Sequence, residues 1–252
     1  MFYIRFLVAI VISSAIGDVY GGAQASTEVS FVAGDGSTVY AQLFDTAGGK
    51  EAPLIVAFHQ ASANGRGEYG SIALRLAGAG YNVLAVDQRS GGERFGSENR
   101  TVKARNGGST GYEEAFPDLE GALVWAGAAG YAGKPIVWGS SYSAALVVRL
   151  LAENPGKIRG GLVFSPSSSA ALGDSSTVLF MDKVKLPMLA LRPISEMGLP
   201  SAKAQFESFA GLGIKTYIAD PGVHGSSMLV ESRAGGDVEA TWEIVLAFLA
   251  GL

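Results

Sequence analysis

The sequence predicts an α/β fold: a single doubly wound, mostly parallel sheet with helices on both faces. Two observations lead to this prediction. Strand-like and helix-like segments alternate along most of the 252-residue chain, which is typical of repeated βαβ units. The segment Leu54–Phe58 is a continuous apolar run, as expected for a parallel strand that is buried on both faces. The length also fits one domain of this class.

The predicted elements begin with a hairpin and continue as alternating strands and helices. Residues 28–32 and 39–44 alternate with period two around Gly34-Asp35-Gly36, which predicts an antiparallel pair. Asp118, after a proline, is expected to cap the second helix. The later strands are predicted at 54–58, 82–86, 136–138, 161–164, 187–191 and 215–219, and the helices at 69–79, 118–129, 144–151 and 242–249.

Two polar stretches interrupt this alternation. Residues 91–111 are Gly-rich and charged, and we expect a surface excursion at the carboxyl ends of the strands. Its basic side chains are expected to be solvated, with reception of an acidic substrate as the alternative. Residues 165–176 are rich in Ser and Ala and too short to form a large lid. A minimal lid is therefore predicted.

Composition and charge argue against several classes of function. The net charge of −4 disfavours nucleic acid as a partner. The absence of cysteine excludes disulfides and thiol chemistry, and two histidines without cysteine argue against a zinc site. We therefore expect no metal and no cofactor.

The first 25 residues have the features of a secretory signal. Arg5 supplies a positive charge, residues 6–12 are apolar, and Ala23-Gln24-Ala25 gives the small-x-small pattern of a cleavage site. We expect cleavage after Ala25, a mature domain at 26–252 without stable membrane insertion, and a secreted or periplasmic location. The alternative is an uncleaved anchor, for which the apolar run is short.

A tight turn joins the strand predicted at 136–138 to the helix predicted at 144–151. The turn reads Gly139-Ser140-Ser141-Tyr142-Ser143. Such a turn needs small residues two before and two after its apex, and it pushes the apex side chain outward. Ser141, at the apex, is the predicted nucleophile. Ser140 is the competing candidate, but its position before the apex favours a steric role.

An activated serine needs a base, and the base needs an acid that orients it. With this kind of turn the histidine follows the serine along the chain, so His224 is the predicted base. His59 precedes the serine and is expected to be structural. Glu196, in the loop after the strand 187–191, is the predicted acid. Asp174 and Asp182 remain alternatives.

Acyl transfer also needs backbone donors for the oxyanion of its transition state. Tyr142 directly follows the serine, so its N–H is the first predicted donor. The second is expected from the loop after Leu54–Phe58, where Gln60 is the candidate.

These motifs resemble the α/β-hydrolase superfamily over nearly the whole mature chain. Three departures stand out: Gln60 replaces a commoner Gly, Ser90 replaces a Gly, and Arg192-Pro193 stands where His-Gly is usual. The size and small lid are similar to the small-esterase and dienelactone-hydrolase-like branches, although the latter usually carry Cys at the position of Ser141. The resemblance is carried by Phe58-His59-Gln60, Asp87-Gln88-Arg89-Ser90-Gly91-Gly92, the turn at 139–143, Glu196 and His224-Gly225.

The resemblance implies a serine hydrolase that cleaves a carboxylic ester of a small acyl substrate through an acyl-enzyme on Ser141. A peptidase or amidase of the same fold is one alternative. A binding protein that has lost catalysis is another, because fold does not determine function. The short lid implies an open, shallow cleft, with residues 91–111 as one wall and a preference for short acyl chains.

Overall fold

A computed structural model describes residues 26–106 and 108–252. The predicted signal segment, with its cleavage site after Ala25, lies outside the described residues. The described chain forms one eight-stranded sheet with helices packed against it. None of the helices in this part of the chain has the length and apolar character that a bilayer crossing requires.

The sheet is mostly parallel, as predicted. Its strands are Ser26–Val32 (β1), Thr38–Phe44 (β2), Leu54–Phe58 (β3), Asn82–Asp87 (β4), Ile136–Ser140 (β5), Gly160–Phe164 (β6), Met188–Pro193 (β7) and Lys215–Ala219 (β8). Their spatial order is β1-β2-β4-β3-β5-β6-β7-β8. The β2 strand pairs antiparallel with β1 and β4, and all other neighbours are parallel. The chain moves outward from β3 in both directions, which creates a switch point at the carboxyl ends of β3 and β5.

The helices include elements that the sequence pattern did not reveal. They are Gly65–Gly78 (α1), Arg100–Ala104 (α2), Phe116–Ala128 (α3), Tyr142–Glu153 (α4), Pro200–Gly211 (α5), Glu231–Ala234 (α6) and Glu239–Ala250 (α7). Helix α1 begins earlier than predicted because the Asn64 side chain caps it by accepting from the Gly67 N–H at 2.7 Å. Helix α5 was not predicted, and α2 lies inside the polar excursion.

The hydrophobic core has two layers, one on each face of the sheet. In β3 the side chains of Leu54, Val56 and Phe58 enter one layer, and those of Ile55 and Ala57 enter the other. Helices α3 and α4 cover the first layer, and α1 and α7 cover the second. Full burial of a Leu, Ile or Phe side chain stabilises the fold by about 1.5–3 kcal/mol. A strand that is apolar on both faces therefore lies in the interior of the sheet.

Asp118 does not cap α3, so that prediction is wrong. The N-cap position is Ala115, and Asp118 lies in the first turn with its side chain fully buried. Its carboxylate accepts from the Arg89 backbone N–H at 2.8 Å and from Arg89 Nη2 at 2.6 Å. The same guanidinium pairs with Asp35 in the β1–β2 turn at 2.5 Å. The carboxylate satisfies a buried arginine, and in doing so it connects α3 to the end of β4.

We expect Asp118→Ala to lower the free energy of unfolding by about 3 kcal/mol, because it removes the buried partner of the Arg89 guanidinium. Asp35→Ala is the matched control, since it removes the half-exposed partner of the same guanidinium and should cost less than about 1 kcal/mol. Urea denaturation measures both values. Equal decreases in the free energy of unfolding for the two variants would show that burial of the carboxylate does not determine how much each ion pair stabilises the fold.

Candidate active site

Ser141 occupies the apex of the turn between β5 and α4. Its backbone has φ 60° and ψ −118°, a conformation that residues other than glycine adopt only where packing enforces it. A Cβ at Gly139 would lie 2.6 Å from the Cα of Ala144. Strand and helix therefore touch backbone to backbone, and the apex side chain is turned away from the sheet.

The turn places its two adjacent serines in different surroundings. Ser140 is completely buried, and its Oγ accepts from the Ser226 N–H at 2.9 Å. Ser141 is partly exposed, and its Oγ lies 2.8 Å from His224 Nε2. Of the two hydroxyls, that of Ser141 is therefore the one that a bound molecule can reach.

His224 joins Ser141 to Glu196. The Nδ1 atom of His224 lies 2.6 Å from Glu196 Oε1. Glu196 follows β7 and His224 follows β8, so the pairing of these parallel strands brings the two loops together. With Nδ1 donating to a carboxylate, Nε2 is the ring acceptor that faces the serine hydroxyl. The structure thus brings the three predicted side chains together, whereas Asp174 and Asp182 are exposed.

The Glu196 carboxyl is ionised at neutral pH. Burial raises its pKa, but hydrogen bonds from His224 and Ser165 and the charges of His224 and Arg192 outweigh this effect. The pKa of Glu196 consequently lies below its ordinary value of 4.5. The carboxylate stays charged as the pH falls to that value, and it remains a hydrogen-bond acceptor for the ring.

Arg192, the penultimate residue of β7, holds the second oxygen of Glu196. Its Nη1 donates to Glu196 Oε2, and its Nη2 donates to the Pro166 carbonyl at 2.6 Å and to Gln205 Oε1 at 2.5 Å. Arg192, Glu196 and Gln205 are all buried. In the sequence, Arg192 stands out only as a departure from a family motif, and the helix that carries Gln205 is not predicted. The buried apolar positions Ala202, Phe206 and Phe209 of α5 are the helical signal that could have revealed that element.

The loop after β3 does not present the Gln60 amide as predicted. That N–H donates to Glu68 Oε2 at 2.6 Å, so the prediction of Gln60 as an oxyanion donor is wrong. In the described part of the chain, the Ala61 N–H meets no acceptor within hydrogen-bond distance. Tyr142 is the first residue of α4, so its N–H has no partner within that helix.

Glu68 is a completely buried carboxyl behind the turn at Ser141. It accepts from the Gln60 backbone, and it also hydrogen-bonds with Ser140. Burial raises the pKa of Glu68, which is the largest influence on this carboxyl. Since Ser140 also accepts from Ser226 beside His224, one side chain of α1 connects three loops of the site.

The structural role predicted for His59 is confirmed. The ring is completely buried, Nδ1 donates to the Gln60 carbonyl at 2.8 Å, and Nε2 accepts from the Gln88 N–H at 3.0 Å. Burial lowers the pKa of His59, which favours the neutral ring that these contacts require. Ser143 Oγ lies 2.5 Å from the His59 carbonyl and 2.9 Å from Gln88 Oε1. Ser143, the small residue two positions after the apex, therefore also connects α4 to the loop after β3.

A cavity of about 540 Å³ opens beside Ser141 and His224. Its walls come from residues 165–169 and from the beginning of α5. Residues 91–93, 98, 99, 102, 103, 106 and 109–111 line other depressions, so the prediction that the polar excursion walls the cleft is wrong for this cavity. The reason is that α2 turns back onto the sheet, where Arg100 Nε pairs with Asp87 at 2.7 Å. Among the described residues, no group of three or more acidic or histidine side chains could hold a metal ion.

The sequence matches no protein-family model and no curated protein. Solved structures, in contrast, resemble this one. An esterase of Pyrococcus furiosus has a TM-score of 0.66 at 16% identity, and the match covers 90% of this chain and 92% of that chain. A protein of Klebsiella pneumoniae provisionally assigned as a dienelactone hydrolase has a TM-score of 0.68 at 15% identity, with 90% and 100% covered.

A larger protein also contains this fold. An acylaminoacyl peptidase of Pyrococcus horikoshii matches with a TM-score of 0.55 at 15% identity over 77% of this chain. The match covers 36% of the peptidase, so this chain spans about a third of its length. Identities this low show the fold alone. The eight-stranded sheet and these likenesses together establish that the chain has the α/β-hydrolase fold that its sequence predicts.

Proposed function

We propose that the protein is a serine hydrolase that cleaves a carboxylic ester through an acyl-enzyme on Ser141. The observation that carries this proposal is the continuous hydrogen-bonded chain from Ser141 Oγ through His224 to Glu196, with distances of 2.8 Å and 2.6 Å. It ends at a cavity large enough for a small substrate. The esterase among the structural neighbours supports an ester as the substrate class.

The geometry suits general base catalysis by His224. As Ser141 Oγ attacks the acyl carbon, Nε2 takes its proton and the carbonyl oxygen becomes an oxyanion. The ring then returns that proton to the leaving alcohol as the ester bond breaks. Water repeats the sequence on the acyl-enzyme and releases the acid. The ionised Glu196 holds the ring in its reactive tautomer and stabilises the imidazolium.

The oxyanion is assigned to the backbone N–H groups of Tyr142 and Ala61. The Tyr142 amide begins α4, where the helix dipole also favours negative charge. Ala61 takes the role that was predicted for Gln60, because the Gln60 amide is occupied by Glu68. Donors that are already oriented toward the developing charge need no reorganisation during the reaction.

A peptidase or amidase is the second candidate, and the likeness to the acylaminoacyl peptidase favours it. The same residues would perform the same steps on an amide, whose amine leaving group needs the returned proton more strongly. A panel of 4-nitrophenyl esters and aminoacyl 4-nitroanilides separates the two. We also propose that the protein acts outside the cytoplasm, which rests on the signal-like residues 1–25.

We expect Ser141→Ala to lower kcat/KM for 4-nitrophenyl acetate by at least about 10⁴-fold, because it removes the nucleophile. A fluorophosphonate should label the wild type at Ser141, as peptide mass spectrometry can show. Ser140→Ala is the matched control, and it should retain labelling because the buried neighbour is not attacked. An adduct on Ser140, or unlabelled folded wild type, would contradict the proposal and favour a binding protein.

We expect Ala61→Pro to lower kcat by about 10²–10³-fold, because proline lacks the N–H that is assigned to the oxyanion. Ala61→Gly keeps that N–H and should remain within about tenfold of the wild type. Stopped-flow acylation rates provide the measurement, and circular dichroism verifies that both variants are folded. Equal rates for the two variants would remove Ala61 from the oxyanion site.

We expect the rate of 4-nitrophenyl ester hydrolysis to peak at short acyl chains. The cavity of about 540 Å³ is bounded by residues 165–169 and by α5, and it is at the scale of small-molecule sites. The decisive measurement is kcat/KM across acetyl, butyryl, octanoyl and palmitoyl esters. A maximum at palmitoyl, with activation at a lipid interface, would show that the short lid does not restrict the substrate.

A further inference from the structure

The guanidinium of Arg192 shares the carboxylate of Glu196 with His224. Oε1 lies 2.6 Å from His224 Nδ1, and Oε2 accepts from Arg192 Nη1. A glutamate side chain is long and loses considerable rotamer freedom when it is ordered. Because each oxygen has its own donor, the plane of the carboxylate is fixed and Oε1 stays directed at the ring.

Arg192 is itself held from two other elements. Its Nη2 donates to the Pro166 carbonyl at 2.6 Å, in the loop after β6, and to Gln205 Oε1 at 2.5 Å, in α5. Gln205 in turn donates to Ser168 Oγ. The planar fork of a guanidinium suits several acceptors in fixed directions. The orientation of Glu196 therefore depends on elements outside its own loop.

The buried pair of Arg192 and Glu196 is expected to add little net stability, because removing two charges from water is costly. The Arg192 Nε is also buried without a hydrogen-bond partner in the described part of the chain, as is Nη2 of Arg100. The contacts of Arg192 therefore bear mainly on the orientation of Glu196.

The charge of Arg192 also influences His224, because both residues contact the Glu196 carboxylate. Among the described residues, the charged groups that face the Glu196 carboxylate are His224 and Arg192, and the neutral Ser165 hydroxyl also donates to it. Arg192 itself faces Glu196 as its charged neighbour, with neutral carbonyl and amide groups on the other side. A carboxylate that is partly neutralised by an arginine stabilises a protonated imidazole less.

We propose that Arg192 is a positioning residue that aligns the Glu196 carboxylate with His224 and extends the activity of the neutral base to lower pH. This role rests on the proposed function of Ser141, His224 and Glu196. Among the described residues, Arg192 makes no hydrogen bond to Ser141 or to the His224 ring, and its role is exercised through the carboxylate.

The test compares Arg192→Met and Arg192→Lys with the wild type, from about pH 4 to about pH 9. The readouts are kcat for 4-nitrophenyl acetate and the rate of fluorophosphonate labelling. Arg192→Met should lower kcat by about 10- to 100-fold through misalignment. It should also move the acid limb of both profiles upward by on the order of one pH unit. Arg192→Lys keeps the charge but lacks the fork, so its acid limb should stay in place while kcat falls.

Arg100→Met is the matched control, since Arg100 is a buried arginine paired with the buried Asp87. It should lower the melting temperature and leave the acid limb unshifted. An unshifted limb in folded Arg192→Met, or an equal shift in Arg192→Lys, would overturn the role of Arg192. If Arg192→Met does not fold, a wild-type kcat in Arg192→Lys would overturn it as well. Failure of the wild type to label at Ser141 would instead overturn the proposed function.

Discussion

The contact between β5 and α4 at Gly139 determines the geometry of the whole site. The backbone of the helix lies so close to the strand that a Cβ at this position would overlap with Ala144. The chain can pass from strand to helix only through a residue with positive φ, and that residue is Ser141. Backbone strain of about 1–3 kcal/mol persists only where the surrounding structure holds it. The packing of the sheet against α4 therefore also orients the hydroxyl.

The polar groups behind the turn stabilise this strained arrangement. Glu68, Ser140 and Ser143 connect the loop after β3, the turn itself and the loop of His224. Each of these side chains is completely buried, where an unpaired polar group would be costly and a satisfied one is directional. The apolar layers fix the positions of the strands, and this polar network fixes the loops that follow them.

The sequence predicts the positions of side chains at strand ends, but it does not predict which buried polar groups pair with each other. The proximity of Ser141, Glu196 and His224 could be predicted because each follows a strand, and the carboxyl ends of parallel strands meet at one edge. Gln60 was misassigned because its amide is taken by Glu68, eight residues later, and no periodic pattern reveals a buried carboxyl. Asp118 was misassigned for the same reason, since its partner Arg89 lies 29 residues away. Local patterns indicate where a chain turns, but they do not indicate which buried donors need an acceptor.

Asp118 and Glu196, two of the buried carboxylates that pair with arginines, illustrate how similar contacts serve different ends. Burial raises the pKa of Asp118 despite its bonds to Arg89, whereas the pKa of Glu196 is lowered because His224 and Arg192 together outweigh burial. Asp118 is fully enclosed and only joins elements of the fold. Glu196 lies beside a half-exposed ring, and the proposed mechanism requires it to remain an ionised acceptor while that ring gains and loses a proton. A second donor on the same carboxylate maintains that charge without competing for the oxygen that faces the ring.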